Sequence, residues 1–447
     1  MVWMCRGSMT LSISRLERTW PKHRKWSVAS GKSSRVLRSA GYATTIVPIS
    51  ASWMNRMFFG FRPWPRPFMP IARRIRSVTV TTKQSGTPAQ KSIRRMVFGS
   101  TRCQFLTVVG RGFSPADAIF AADLSLMSLA QVLQQIAGRR VLVVGDVIAD
   151  EYLVGESSRI SSEAPVPVLR YTGEHATLGG AGNTAANVTS LGGQVTLVGL
   201  VGDDAAGADV ARRCAVSGIE FVPLRDGRPT TRKVRVISQQ QQLLRIDYEE
   251  TASIDAARER ELIDAIGDRL SACDIVVVSD YAKGLVTNDG CREVVRRAHA
   301  AGKQVVVDPR PQHSSYYREC DYLTPNWRES LGLLREGELA LTPENVLRVG
   351  TLVSQQFRSS VLLTLGPRGI AFFHADGSEP LVVPAEAQEV FDVSGAGDTV
   401  VAAFSLARAG GCDHAAAVTL ANRAAAVVVG KRGTATVTPD ELLTRNL

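Results

Sequence analysis

The chain has 447 residues, enough for one large or two medium domains, and 45% of them are hydrophobic against 21% charged, the balance of a soluble protein. Its formal charge of +11 invites a nucleic-acid reading, but the excess is local: residues 1–126 hold 21 Lys and Arg against 3 Asp and Glu, leaving 32 against 39 for residues 127–447. No apolar run reaches the roughly 18 residues of a membrane span, no tripartite signal peptide opens the chain, and the seven scattered Cys contain no CxxC pair. A membrane protein, a zinc ribbon and a disulfide scaffold are excluded, and a soluble, cytoplasmic protein with reduced thiols is expected.

All eight Met lie at or before Met127 and five of the six Trp lie before residue 65, so the composition breaks where the charge does. Residues 1–126 are rich in Arg and Ser, are interrupted by Pro as in FRPWPRPFMP (61–70), and show neither helical nor strand periodicity. They are expected to form a basic extension of low order, separate from a domain at 127–447. A start placed upstream of a true Met127 accounts for this best. An organelle transit peptide shares the Arg/Ser bias, but the leader is long for one; a nucleic-acid-binding arm shares the charge, but no motif supports it.

From residue 127 the runs VLVV (141–144), VTLVGLV (195–201), IVVV (275–278), QVVVD (304–308) and VLLTL (361–365) read as strands. Between them NTAANVTSL, AARERELIDAIGDRL, REVVRRAHAAG and NVLRVGTLVSQQF carry apolar residues at helical spacing. Strands buried on both faces need helices above and below, which predicts an α/β fold with a doubly wound, mainly parallel sheet. Two segments break the alternation: 151–178 and 229–248 contain half-exposed strand patterns such as RKVRVIS (232–238). They predict a small β lid over the carboxyl ends of the main strands, where open α/β sheets bind ligands.

Two glycine-rich stretches lead into helices. In DVSGAGDTV (392–400), Gly395, Ala396 and Gly397 precede an apolar helix whose first amides point outward unpaired, an anion hole. Asp398 stands where a carboxylate can accept the proton of a hydroxyl attacking a phosphoryl group; an ordinary helix start with a surface Asp is the plainer alternative. In LGGAGNTAANVTSLGG (178–193), Gly179 and Gly180 permit a ligand to lie against backbone. Asn183 and Asn187, four apart, share a helix face with amides that both donate and accept, as sugar hydroxyls require. Neither GxGxxG nor GxxxxGK[ST] occurs, so a Rossmann dinucleotide site and a Walker-type kinase are unsupported. Asp146 and Asp150 follow the first strand, where one could bind a sugar hydroxyl and capping the next turn is the plainer role.

The stretches Gly179–Gly202 and Asp392–Ser405 resemble the two signatures of the ribokinase-like (PfkB) carbohydrate kinases, and the resemblance runs over residues 127–440. GDVIADEYLVG, SRISSEAPVPVL, QQQLLRIDYEE, SDYAKG, LTPNWRE, QEVFDVSGAGDTV and VVVGKRGT are similar to the heptose-phosphate kinase branch of lipopolysaccharide biosynthesis. The resemblance implies an ATP- and Mg²⁺-dependent transfer to the anomeric hydroxyl of D-glycero-β-D-manno-heptose 7-phosphate, with Asp398 as base and the Gly395, Ala396 and Gly397 amides on the transferred group. It sets Asn326, Trp327, Arg328 and Glu329 (NxxE) at the nucleotide phosphates, with Asn326 and Glu329 holding Mg²⁺ through water. Thr364 and Gly366 would line the nucleotide strand end, and Asn422 and Lys431 the adenine pocket.

Asp150, Gly179, Gly180, Asn183 and Asn187 would meet the sugar. Its phosphate would meet a basic residue among Arg159, Lys233, Arg235, Lys283 and Arg310, with Lys283 in SDYAKG the first choice. Ala181 replaces the lysine of the GGKGAN pattern, which disfavours free ribose. No HxGH nucleotide motif of the bifunctional relatives occurs, so the kinase step alone is expected. The exposed edge of the lid is expected to pair in a homodimer, and neither a nucleic-acid nor a membrane partner is expected.

Overall fold

The structure, a computed structural model, describes residues 128–239, 241–386 and 390–444 in full, together with the backbone of short paired segments before residue 110. It divides into two units, Met1–Ala118 and Ile119–Leu447. In the first, Met9–Ser12, Trp26–Ser27, Thr79–Gln84, Thr87–Met96 and Leu106–Val109 pair in an antiparallel sheet, and Arg35–Ser39 pairs with Tyr42–Ile46. The other residues of 1–127, and with them the expectations about the leader, lie outside the described residues.

The second unit is built on a nine-stranded sheet. Its strands in chain order are β1 (Arg140–Gly145), β4 (Gln194–Leu200), β5 (Glu220–Leu224), β8 (Ile275–Ser279), β9 (Gln304–Asp308), β10 (Tyr322–Leu323), β11 (Ser360–Thr364), β12 (Ile370–Phe373) and β13 (Leu381–Val383). The spatial order is β5-β4-β1-β8-β9-β10-β11-β12-β13, the first seven parallel, with β12 antiparallel to β11 and β13 antiparallel to β12. The apolar runs form the central strands because both faces are buried: Val141 and Val143 of β1 face one core, Leu142 and Val144 the other.

Helices at Ala181–Ser190 (α2), Ala256–Gly267 (α4), Asn288–Ala300 (α5) and Pro343–Phe357 (α7) occupy the segments where helical spacing predicted them; α1 (Leu129–Ile136), α3 (Ala205–Val216), α6 (Trp327–Leu333), α8 (Ala396–Ala409), α9 (His414–Val428) and α10 (Pro439–Thr444) complete the layers. Helix α8 is buried from Asp398 to Ala407. Its Ala, Val, Phe and Leu leave no polar face, the pattern of a helix packed on all sides, here against α2 and α9. A carboxylate in its first turn is therefore set into the protein interior.

The lid is a separate four-stranded sheet of order β3-β2-β6-β7, from β2 (Val147–Ile160), β3 (Pro167–Gly180), β6 (Arg232–Ser238) and β7 (Gln241–Tyr248). β2 runs antiparallel to β3 and parallel to β6, and β6 antiparallel to β7. The roots of the 14-residue strands β2 and β3 are buried and their tips exposed, so the sheet rises from the carboxyl edge of β1 out into solvent.

Candidate active site

The site forms where the starts of α2 and α8 meet the loop after β8. Gly395 caps α8 in the left-handed region, at φ 77°, and a Cβ there would lie 2.6 Å from Asn183 Nδ2. The residue must be glycine for α8 to begin this close to α2. No side chain caps this helix, and among the described residues the amides of Gly395 and Gly397 have no partner, whereas that of Ala396 donates to Val393 O at 3.3 Å. Two of the three amides expected in the anion hole are thus open to a ligand.

Asp398 is 4% exposed. Its Oδ2 accepts from Asn183 Nδ2 at 2.8 Å, and its Oδ1 from Thr184 Oγ1 at 3.1 Å and Tyr281 OH at 2.8 Å. Burial raises the pKa of Asp398, while the Asn183, Tyr281 and Thr184 hydrogen bonds and the Arg310 charge oppose the rise. The result is a carboxylate more basic than an exposed Asp and rigidly aimed. Tyr281 and Thr184 were not singled out from sequence.

Asn187 shares the α2 face with Asn183, as four-residue spacing requires, but it is fully buried. Its Nδ2 donates to Asn183 O and Oδ1, and its Oδ1 accepts from Thr399 Oγ1. It orients Asn183 and does not face the cleft. Asp146 is buried too, accepting the amides of Tyr281 at 2.8 Å, Lys283 at 2.9 Å and Leu285 at 3.2 Å. That carboxylate folds the SDYAKG loop and so carries Tyr281 to Asp398.

On the lid side, Asp150 accepts from Arg235 Nη1 at 2.6 Å and from Thr434 Oγ1 at 3.2 Å. A Cβ on Gly179 would meet Asp150 Oδ2 at 2.4 Å, so the bare backbone there makes room for that carboxylate. Gly180 lies beside it as the N-cap of α2. Lys283 is paired with Glu249 at 2.6 Å, and Arg159 is exposed towards the lid tip.

On the far side, Asn326 and Glu329 form a reciprocal capping box at the start of α6: Asn326 Oδ1 accepts from the Glu329 amide at 2.9 Å and Glu329 Oε2 from the Asn326 amide at 2.8 Å. Glu329 Oε1 also accepts from Arg310 Nη1. Arg310 lies 4.2 Å from the Tyr281 ring centroid, donates to Asp280 O, and interacts electrostatically with Asp308, Glu329 and Asp398. It is therefore committed to Glu329 and to the Tyr281 ring.

Thr364 bridges to Asn326, and the space over Gly366 is open. Of the intervening pair, Trp327 packs against the core and donates to Leu339 O, while Arg328 is exposed. Asn422 donates to Pro384 O, and Lys431 is held by Thr436 O and Glu441, so neither bonds to the residues around Asp398.

Among the described residues no cluster of three His, Cys, Asp or Glu could hold a metal. Direct coordination of Mg²⁺ by Glu329 does not fit a carboxylate already bonded to a guanidinium and an amide. Contact through water does, since Mg²⁺ keeps several of its waters.

An open, mainly parallel sheet with a β lid, and a buried carboxylate beside a bare helix start, are the arrangement expected of a ribokinase-like kinase. The chain belongs to the pfkB family of carbohydrate kinases, whose profile matches residues 139–441. It is 44% identical over 308 residues to the bifunctional protein HldE of Azorhizobium caulinodans, covering 68% of this chain and 63% of that one. It is 41% identical over 332 residues to the HldE of Rhodopseudomonas palustris strain TIE-1, covering 72% and 66%. The chain thus spans slightly under two thirds of the length of these relatives. Among solved structures, phosphofructokinase-2 from Escherichia coli in complex with potassium aligns with TM-score 0.59 at 20% identity, over 68% of this chain and 97% of that one. Arabidopsis thaliana ribokinase complexed with ribose and ATP aligns with TM-score 0.54 at 23% identity, over 68% and 98%. At these identities the two structures show the shared fold.

Proposed function

We propose that the protein transfers the γ-phosphoryl group of ATP to the anomeric hydroxyl of D-glycero-β-D-manno-heptose 7-phosphate, giving the 1,7-bisphosphate and ADP in the cytoplasm. The observation that carries this reading is the buried Asp398 carboxylate, held by Asn183, Thr184 and Tyr281 beside the open amides of Gly395 and Gly397. Asp398 takes the C1 hydroxyl proton as that oxygen bonds to the γ-phosphorus and the bond to the β–γ bridging oxygen breaks. The open amides stabilise charge on the transferred group. Bound Mg²⁺ would neutralise the β- and γ-phosphates, with Asn326 and Glu329 orienting its waters. Closed over a bound sugar, the lid would limit transfer to water.

The choice of heptose rests on the resemblance of seven stretches to the heptose-phosphate branch and on the identity to the HldE proteins. The test is ADP release against a sugar panel. We expect kcat/KM for the heptose 7-phosphate to exceed that for ribose, fructose or adenosine by about 100-fold or more, and comparable use of any of these would overturn the assignment.

The lid exposes Ile160, Tyr171, Leu244, Ile246 and Tyr248, together with its edge strands. Exposed apolar strands of this kind are costly in a monomer, and we place a second copy of the chain against them. Light scattering at micromolar concentration is expected to show twice the 48.2 kDa chain mass, and Leu244→Asp to halve it. A monomeric wild type would remove the proposal. No helix among the described residues is long and apolar enough to cross a membrane.

A further inference from the structure

Lys233 is the unusual cation of the site. It lies in β6 with Asp150 opposite it on β2 and Asp247 opposite it on β7, so either carboxylate is in register to pair with it. Neither does. Asp150 is taken by Arg235 and Thr434, and Asp247 by Arg245 in a two-point pair at 2.7 and 2.8 Å. The neighbouring Lys283 is likewise taken, by Glu249.

The Lys233 ammonium has no hydrogen bond or ion pair among the described residues. It lies over the ring of Tyr281, 5.5 Å from Nζ to the centroid. Burial lowers its pKa, as do the charges of Lys283 and Arg245, while those of Asp150 and Asp247 oppose the fall. A half-buried ammonium without a counter-ion is costly, and the cost is offset when an anion arrives.

Tyr281 links this cation to the chemistry, because its hydroxyl donates to Asp398 while its ring lies beside Lys233. The ammonium and the base are therefore separated by little more than one tyrosine side chain. That span suits a sugar whose phosphate is carried at the end of the molecule remote from the reacting hydroxyl. Arg310, the other cation against this ring, is already paired with Glu329, whereas Lys233 is not paired.

We infer that Lys233, rather than Lys283, binds the phosphate monoester of the acceptor sugar and sets the preference for phosphorylated over unphosphorylated acceptors. The inference rests on the sugar-phosphate reading of the same site. A charge-assisted bond to phosphate is worth roughly 10- to 100-fold in binding.

The test compares wild type, Lys233→Met, Lys233→Arg and Lys283→Met on three pairs: heptose 7-phosphate and heptose, fructose 6-phosphate and fructose, ribose 5-phosphate and ribose. For the preferred pair, the ratio of kcat/KM between phosphorylated and free sugar is expected to fall roughly 10- to 100-fold in Lys233→Met, mostly through KM. It should recover in part in Lys233→Arg and fall by less in Lys283→Met. Thermal unfolding of each variant without ligand shows that the fold is kept, and stabilisation by the phosphorylated sugar alone, read on the same instrument, should be lost in Lys233→Met.

A wild-type preference that survives in Lys233→Met overturns the assignment of this lysine and leaves the heptose reading standing. A preference for another phosphosugar that Lys233→Met abolishes overturns the heptose and leaves Lys233 standing. A wild type indifferent to phosphorylation in all three pairs overturns both.

Discussion

Asp398→Asn is expected to lower kcat by about 10³-fold while leaving the KM for ATP close to wild type. The substitution keeps the shape of the side chain and removes the negative charge that makes its oxygens basic enough to take up the hydroxyl proton. It also brings an NH₂ group into a pocket built of donors, because Asn183, Thr184 and Tyr281 all present hydrogens to the carboxylate. One of them must turn away, so part of the loss is positional. The pH profile separates the two contributions. Burial holds the Asp398 pKa above the ordinary carboxylate value, and the base form is required, so wild-type kcat should fall as pH drops through that raised pKa. Residual activity of Asp398→Asn should lack this acid limb. A variant with near-normal kcat, or one that keeps the limb, would show that another group takes the proton.

The parts of this architecture that follow from one-dimensional pattern were legible in the sequence. VLVV, IVVV and QVVVD read as strands buried on both faces and RKVRVIS as a half-exposed one, so the main sheet and the lid differ in pattern along the chain. The glycines around Asp398 marked the helix start because glycine there answers a steric demand. What could not be read was the company each side chain keeps across long stretches of chain.

Tyr281 is one aromatic in a loop, and it reaches Asp398 only because Asp146, far upstream, gathers three amides of that loop. Thr184 looked like one more position of a helix. The sequence favours Lys283 over Lys233 because it lies in SDYAKG at a strand end, and no pattern along the chain shows which carboxylates are already taken. The two lysines differ because Asp150 and Asp247 are consumed by arginines while Glu249 is available to Lys283. Trp327, within the NxxE motif, turned out to serve the core, since α6 must bury one face.

Gly395→Ala is expected to lower kcat by about 10²-fold and to cost roughly 1–2 kcal/mol of stability. At φ 77° an alanine is strained in its own backbone, and its Cβ would lie 2.6 Å from Asn183 Nδ2 and 3.1 Å from Thr434 Cγ2. Relief can come in two ways, and both harm the site. If the backbone of residue 395 relaxes towards negative φ, the first turn of α8 shifts and its open amides leave the positions where they meet the phosphoryl group. If Asn183 yields instead, Asp398 loses the donor on Oδ2, and Asn187, which is bonded to Asn183, is displaced with it. Gly397→Ala provides the contrast in stability, because a Cβ there meets nothing within 4 Å and the backbone is not left-handed. Its melting temperature should stay near wild type while that of Gly395→Ala falls. Should Gly395→Ala keep kcat within about twofold, the helix start tolerates displacement, and stabilisation of the transferred phosphoryl group must come from elsewhere in the cleft.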